Sequence, residues 1–292
     1  MTQIPEPESI SLTAADGRRL AATYYAPMGD AGLSLQINSA TAVPRRYYDA
    51  FARHMAARGI AVLTFDYRGI GESRGGPAEA MEHWGALDAV AATDWLLAQR
   101  PNAGLALLGH SFGGQVLGLS PHIGKFKAVM LVGSQSGYWR HWPGLRAKLR
   151  MLTLWYLLIP VLTRLQGQMP GAIFGGEPLP RGVALQWARW GRSRHYISDQ
   201  QGQPLRPYNH LLRSALLSLS FSDDTIAPRQ AADALMDYYP QAQVERRHVA
   251  PGDWGLQQIG HFGFFRRAMP VQYWDMAADW LLHQSGAMTR AA

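Results

Sequence analysis

Short apolar runs alternate with stretches of helical spacing along most of this chain. Leu33 to Asn38, Ile60 to Asp66, Leu105 to Leu108, Lys127 to Val132, Ala215 to Phe221 and Gln243 to Arg247 have the length and apolar density of strands. Between them, Tyr47 to Arg58, Trp84 to Gln99, Pro228 to Tyr239 and Pro270 to His283 read as helices; the first stops at Gly59, a residue suited to the left-handed conformation that closes a helix. Near the start, Glu8 to Thr13 and Arg19 to Tyr25 form two strands joined at Asp16-Gly17, a hairpin-type turn signal. Short apolar strands interleaved with helices predict an α/β fold: a doubly wound, mostly parallel sheet of about eight strands with helices on both faces.

One segment breaks the rhythm. From Gly137 to His210 the pattern shows no strand, and the segment holds Trp139, Trp142, Trp155, Trp187 and Trp190, half of the ten tryptophans. It reads as a mainly helical cap, residues 137–210, inserted in a core made of residues 1–136 and 211–292. No internal repeat or Gly/Ser linker marks it off as a freely hinged domain. Its aromatics, with Met151 to Pro160, either line an acyl pocket or form the cap's own core.

Composition narrows the function classes. Apolar residues make up 47% of the 292 and charged residues 17%, a globular mix that excludes an extended disordered chain. The longest apolar stretch, Met151 to Thr163, is interrupted by Pro160 and is too short to span a bilayer. Met1 to Ile10 has neither the basic start nor the apolar core of a secretory signal. There is no cysteine, so disulfides, thiolate metal sites and a cysteine nucleophile are excluded, and a cytoplasmic location fits. The net charge of +7 is concentrated: the cap carries ten basic residues against Glu177 and Asp199, a balance of +8. That excess reads as a solvated face, as attraction of an anionic substrate, or as shallow contact with an anionic membrane surface. No nucleic-acid signature accompanies it, so no nucleic-acid partner is expected. No HExxH or close His/carboxylate set points to a metal, and no cofactor is expected.

The chemistry centres on Leu105-Ala-Leu-Leu-Gly109-His110-Ser111-Phe112-Gly113-Gly114, an apolar strand running into G-x-S-x-G. A serine on a sharp strand-to-helix turn projects its hydroxyl at the carboxyl end of the sheet, beside the free N–H groups that open a helix. With this motif the sequence resembles the α/β-hydrolase superfamily from about Leu33 to Leu282, the cap excepted. Asp66-Tyr-Arg68-Gly69-Ile-Gly71-Glu-Ser73 is similar to the family's D-x-R-G-x-G-x-S turn, which implies a structural turn bordering the site.

A serine hydroxyl needs a base, and the base an orienting acid, in this fold in the order Ser, then Asp or Glu, then His. The segment Ser222-Asp223-Asp224-Thr-Ile-Ala-Pro228 follows a strand and is similar to the family's G-x-x-D-x-x-x-P ending, which implies Asp224 as the acid. Asp223 stays open as its substitute, and whichever of the two is not catalytic is expected to cap the next helix. The base is His261, framed by Gly260 and Gly263 in a tight loop; His248 is the fallback, and His110 is structural. For the oxyanion, Phe112 N–H next to the nucleophile is one donor, and the resemblance implies Ala40 N–H as the other. There the chain reads Asn38-Ser39-Ala40, similar to a branch of predicted hydrolases with Asn-x-Ala in place of the usual His-Gly. The expected activity is hydrolysis of a carboxylic ester or thioester through an acyl-enzyme on Ser111, with a small-molecule acyl substrate, an anionic one on the second reading of the cap's charge. An acyltransferase, an amidase or peptidase with the same triad, or a non-catalytic binding protein of this fold are the alternatives.

Overall fold

The computed structural model describes residues 5–76, 80–173 and 175–287. The first four residues of the Met1 to Ile10 stretch therefore lie outside the described residues. The first two strands, β1 (Glu8–Thr13) and β2 (Arg19–Tyr25), pair antiparallel, and β2 pairs antiparallel with β4 (Ile60–Phe65). From β4 onward all pairs are parallel: β3 (Leu33–Asn38), β5 (Gly104–His110), β6 (Ala128–Val132), β9 (Ala215–Phe221) and β10 (Gln243–Val249). The sheet has eight strands in the order β1-β2-β4-β3-β5-β6-β9-β10.

The interior strands are apolar because helices cover both of their faces. Every residue of β3, β4 and β6 is buried. Along β5 the side chains alternate between two cores: Leu105 and Leu107 face one, Ala106 and Leu108 the other. The first core receives α2 (Ala89–Gln99) through Ala92 and Leu96, and α7 (Arg229–Met236) through Ala231 and Leu235. The second receives α1 (Asp49–Ala57) through Phe51 and Met55, and α8 (Val271–Ser285) through Ala277 and Leu281. The edge strand β10 instead carries Glu245, Arg246 and Arg247, charges that discourage pairing with another chain.

Helix beginnings depart from the periodicity. The expected helix from Tyr47 opens as a 3₁₀ turn, Arg45–Tyr48, and α1 proper starts at Asp49. The one from Trp84 opens as a π turn, Trp84–Asp88. After Ser111 the helix α3 (Phe112–Gln115) is one turn long, so the amides matter there more than a long dipole.

Between β6 and β9 the chain forms α4 (Gly144–Thr153), a π turn (Leu154–Leu158), α5 (Ile159–Gln166) and α6 (Arg181–Arg192). Pro160 has no N–H to donate to the preceding turn, and the helix widens just before it. The reading that this segment holds no strand is corrected by a small antiparallel pair, β7 (Gln168–Met169) with β8 (Leu179–Pro180). Two residues per strand are too short to show an alternation.

The segment docks on loops that leave the carboxyl ends of the sheet strands. Glu177 accepts hydrogen bonds from Gly71 N (2.7 Å), Arg74 (2.8 Å) and Arg46 (3.2 Å), and its N–H donates to Ala42 O at 2.8 Å. The Asp66 to Ser73 turn beneath it is held by charge: Asp66 pairs with Arg45, and Arg68 bridges buried Asp88 (2.7 Å) and Asp16 (2.6 Å).

Candidate active site

Ser111 directly follows β5 with φ at 51° and ψ at −115°, a conformation that L-residues other than a few turn residues avoid. The strain is held in place from both sides: Ser111 N donates to Val132 O of the neighbouring strand at 3.0 Å, and Ser111 O accepts from Gly114 N at 3.1 Å. Phe112 opens α3, so its N–H has no acceptor within that helix.

Asp224 and His261 meet although 37 residues separate them. His261 Nδ1 lies 2.7 Å from Asp224 Oδ2. Asp224 Oδ1 accepts the N–H groups of Ile226 and Ala227, both at 2.8 Å, which fixes the carboxylate plane. Burial works against this carboxylate, yet its hydrogen bond to His261, the charge of that imidazole and the two amides together hold its pKa below the ordinary value. A carboxylate on Nδ1 orients the ring and, in the neutral imidazole, favours the tautomer whose Nε2 can accept a proton.

Asp223, the open alternative, performs a different task. Its Oδ2 accepts the N–H groups of Ile259 (2.8 Å) and Gly260 (2.9 Å), so it grips the backbone of the loop that carries His261. Adjacent carboxylates thus hold one loop by its side chain and by its main chain. Gly260 has φ at 60°, which a side chain would strain, whereas Gly263 takes an ordinary conformation. The expectation that both glycines serve the loop's geometry is met at Gly260 alone.

Residues adjoining Ser111 contact the Asp224–His261 pair and its loop. Gly133, next after β6, places its Cα hydrogens beside the pair: a Cβ there would stand 3.3 Å from both Asp224 Oδ2 and His261 Nδ1. His110 touches the histidine loop directly, its Nε2 2.9 Å from His261 O. The Ser111 hydroxyl itself makes no hydrogen bond to His261 among the described residues; such contacts often tighten only once substrate is bound.

His110 is fully buried, and desolvation first, then the neighbouring His261, lowers its pKa to about 3. It is neutral. Since Nε2 must donate to the His261 carbonyl, Nδ1 accepts from the Tyr48 hydroxyl at 2.8 Å, and Tyr48 Oη accepts Ala40 N–H at 2.8 Å. This corrects the assignment of Ala40 as the second oxyanion donor. Its amide is spent on Tyr48, so it anchors the loop after β3 instead of facing the site. No sequence signal marks Tyr48 for this part, because the phenol comes from the turn before α1 and reads as core. His248, the fallback base, lies on the edge strand β10 with its Nδ1 2.8 Å from Ser220 Oγ.

A cavity of about 430 Å³ opens beside the acid loop. Ile226 and Thr225, from the loop after β9, border it on one side; Met151, Leu154, Trp155, Leu158 and Trp187, from the segment between β6 and β9, form the other. Its floor carries fixed polar groups. Gln135 Nε2 donates to Ile226 O (3.3 Å), Gln115 Nε2 to Gln135 Oε1 (3.1 Å), and the Tyr196 hydroxyl to Gln115 Oε1 (2.6 Å). Of the aromatics left open between pocket and core, Trp155 does both: it is buried, bonds Gly137 O at 3.1 Å, and lines this space. Arg150 reaches the rim and points its guanidinium at Thr225 O, 3.4 Å away. Among the described residues no group of three or more His, Cys, Asp or Glu side chains is arranged to hold a metal ion, and no helix is long and apolar enough to cross a membrane.

Comparison with known proteins agrees with this architecture. The sequence profile described as "Alpha/beta hydrolase family" matches residues 31–272. Among solved structures, a hypothetical protein from Pseudomonas aeruginosa superposes with a TM-score of 0.67 at 16% identity, covering 97% of this chain and 95% of that one. An esterase from Pyrococcus furiosus gives a TM-score of 0.60 at 13% identity, over 96% and 91% of the two chains. The esterase domain of a Rhodothermus marinus protein gives 0.57 at 18%, over 96% and 99%. No curated protein sequence matches.

Proposed function

The chain belongs to the alpha/beta hydrolase family, and we propose that within it the protein is a serine hydrolase that cleaves a carboxylic ester or thioester. The observation that carries this reading is the Asp224–His261 hydrogen bond of 2.7 Å beside a serine held at φ 51°. Ser111 Oγ attacks the acyl carbon while His261 Nε2 takes its proton. The negative charge on the former carbonyl oxygen is met by Phe112 N–H, and Asp224 stabilises the imidazolium. When the tetrahedral intermediate collapses, His261 returns the proton to the departing alcohol or thiol. Water then attacks the acyl-serine by the same route, giving the acid and the free enzyme.

The apolar cavity between Ile226 and the cap tryptophans is suited to the acyl group, and the esterases among the structural neighbours support that class. Arg150 on its rim favours acyl groups bearing a carboxylate or phosphate. The deciding experiment pairs a fluorophosphonate probe with turnover of p-nitrophenyl butyrate. The native chain is expected to label at Ser111 and to hydrolyse the ester; Ser111→Ala is expected to do neither. Undiminished hydrolysis by Ser111→Ala would remove the acyl-enzyme. Turnover of neutral and dicarboxylic half-esters over a salt series tests Arg150: equal kcat/KM at every salt concentration would remove the anionic preference.

A further inference from the structure

The helical stretch from residue 144 to residue 166 is apolar on both faces. Its inner side, through Met151, Trp155 and Ile159, is buried. Its outer side presents Leu145, Leu149, Tyr156, Leu157, Val161 and Leu165 to solvent, with Leu145 73% and Leu165 78% exposed. The spacing 145, 149, 156 is that of one helical stripe, which the widened turn before Pro160 hands on to Val161 and Leu165. A helix facing water ordinarily turns a polar side outward, so an apolar outer stripe of this length asks for a cover.

The charges around the stripe say what covers it. Residues 144–166 include Arg146, Lys148, Arg150 and Arg164 and no acidic residue. Arg146, Arg150 and Arg164 are exposed beside the apolar side chains. Arg192, from α6, lies over the Tyr156 ring at 5.3 Å and adds a fifth cation. A second copy seated on this face would bring the same cations together with no carboxylate from the stretch to meet them. An anionic lipid surface meets both halves of the pattern: headgroups pair with Arg and Lys while Leu, Val and Tyr enter the acyl boundary.

We infer that the outer face of this stretch docks the protein onto an anionic bilayer surface. The inner face of the same helices, at Met151, Leu154, Trp155 and Leu158, lines the apolar cavity beside Asp224. One helical layer therefore separates the lipid from the space offered to an acyl chain. The inference goes beyond the acyl-transfer reading and does not need it, since docking is measured without turnover.

The test is co-sedimentation of the full chain with vesicles of phosphatidylcholine alone and of phosphatidylcholine with about 30% phosphatidylglycerol. Binding to the anionic vesicles and not to the neutral ones is expected, with release at high salt. Leu149→Gln/Leu157→Gln and Arg146→Glu/Lys148→Glu are each expected to weaken binding roughly tenfold, with unchanged thermal melting because the sites are solvent-facing. Ser111→Ala is expected to bind as the native chain does, so a failure of catalysis and a failure of docking remain distinguishable. Equal binding to both vesicle types, absence of binding, or binding that survives both paired variants would overturn the inference. So would a dimer in sedimentation velocity that the leucine variant dissolves, since the stripe would then belong to a second copy.

Discussion

Two adjacent carboxylates in this site differ in what they grip, and substitution separates them. Asp224 binds the imidazole, Asp223 the amides of Ile259 and Gly260. On the acyl-transfer reading, Asp224→Asn leaves the fold intact but puts the imidazole proton on the wrong nitrogen. A loss in kcat of about 10³-fold or more is expected, with KM little changed. Asp223→Asn is expected to be mild, because both amides bond a single oxygen that asparagine retains. Asp223→Ala leaves two N–H groups without an acceptor and should cost about 1–3 kcal/mol in urea melts as well as activity. If Asp223→Asn proves as damaging to kcat as Asp224→Asn, the division of labour is wrong. At this scale the sequence was legible where a residue stands in a marked frame: Ser111 between glycines after an apolar strand, Asp224 before Ile-Ala-Pro, His261 after Gly260. It was not legible where the partner comes from another element. The amide of Ala40 could be assigned only once Tyr48, from the turn before α1, was seen to take it.

Among the structural elements, the turn around Ser111 is closely packed against β3. A Cβ on Gly113 would run into the Asn38 carbonyl at the end of β3, and neither backbone can give way without breaking the sheet. Gly263, by contrast, would meet nothing nearer than Ile259 at 3.5 Å, an ordinary contact. Gly113→Ala is expected to cost roughly 3 kcal/mol or more, or to prevent recovery of folded protein, whereas Gly263→Ala should stay within about 1 kcal/mol of the native chain. Thermal melts of the two alanine variants check the contrast, and equal stability would mean that the approach of α3 to β3 is looser than described. The interior strands could be read from sequence because burial on two faces demands continuous apolar runs, as in Ile60–Phe65. The two π turns could not. They keep the apolar spacing of the α-helices that follow them and differ only in hydrogen bonding, at Trp84–Asp88 and Leu154–Leu158. The layout of the segment between β6 and β9 was legible only as a break in the strand rhythm, because its contacts to the remainder of the chain rest on single side chains such as Glu177.

Across the whole molecule, the segment between β6 and β9 meets the rest of the chain over the cavity, and on the acyl-transfer reading that joint sets a size limit on the acyl group. Leu154→Trp fills part of the 430 Å³ from the cap side. It is expected to lower kcat/KM for p-nitrophenyl decanoate relative to acetate by about tenfold, with the acetate rate nearly unchanged. An unchanged chain-length profile would place the acyl group elsewhere.

Acid stability is a property of the same whole, because His110 ties β5 to the loop beyond β10 and, through Tyr48, to the turn before α1. Its pKa of about 3 in the folded chain lies far below the value near 6.5 of an unfolded chain. Between those limits the unfolded state takes up a proton that the folded state refuses. Stability therefore rises with pH across this window and falls as pH drops from about 6.5 toward 3, by on the order of 4 kcal/mol from this group alone. Asp224 acts in the same direction at the acid end. Its depressed pKa contributes stability above the unfolded value, and that contribution is lost as pH falls through the folded one. Urea melts of Ser111→Ala at successive pH values, which avoid any turnover, should show the decline beginning near pH 6.5, well above the range in which carboxylates titrate. In a His110→Gln background the protein is expected to be less stable at neutral pH, since the ring's packing is lost. The slope between pH 6.5 and about 4 should nevertheless flatten, because glutamine keeps a donor for the His261 carbonyl and does not titrate. A slope that persists in His110→Gln would assign the acid sensitivity to another buried group and release His110 from this role.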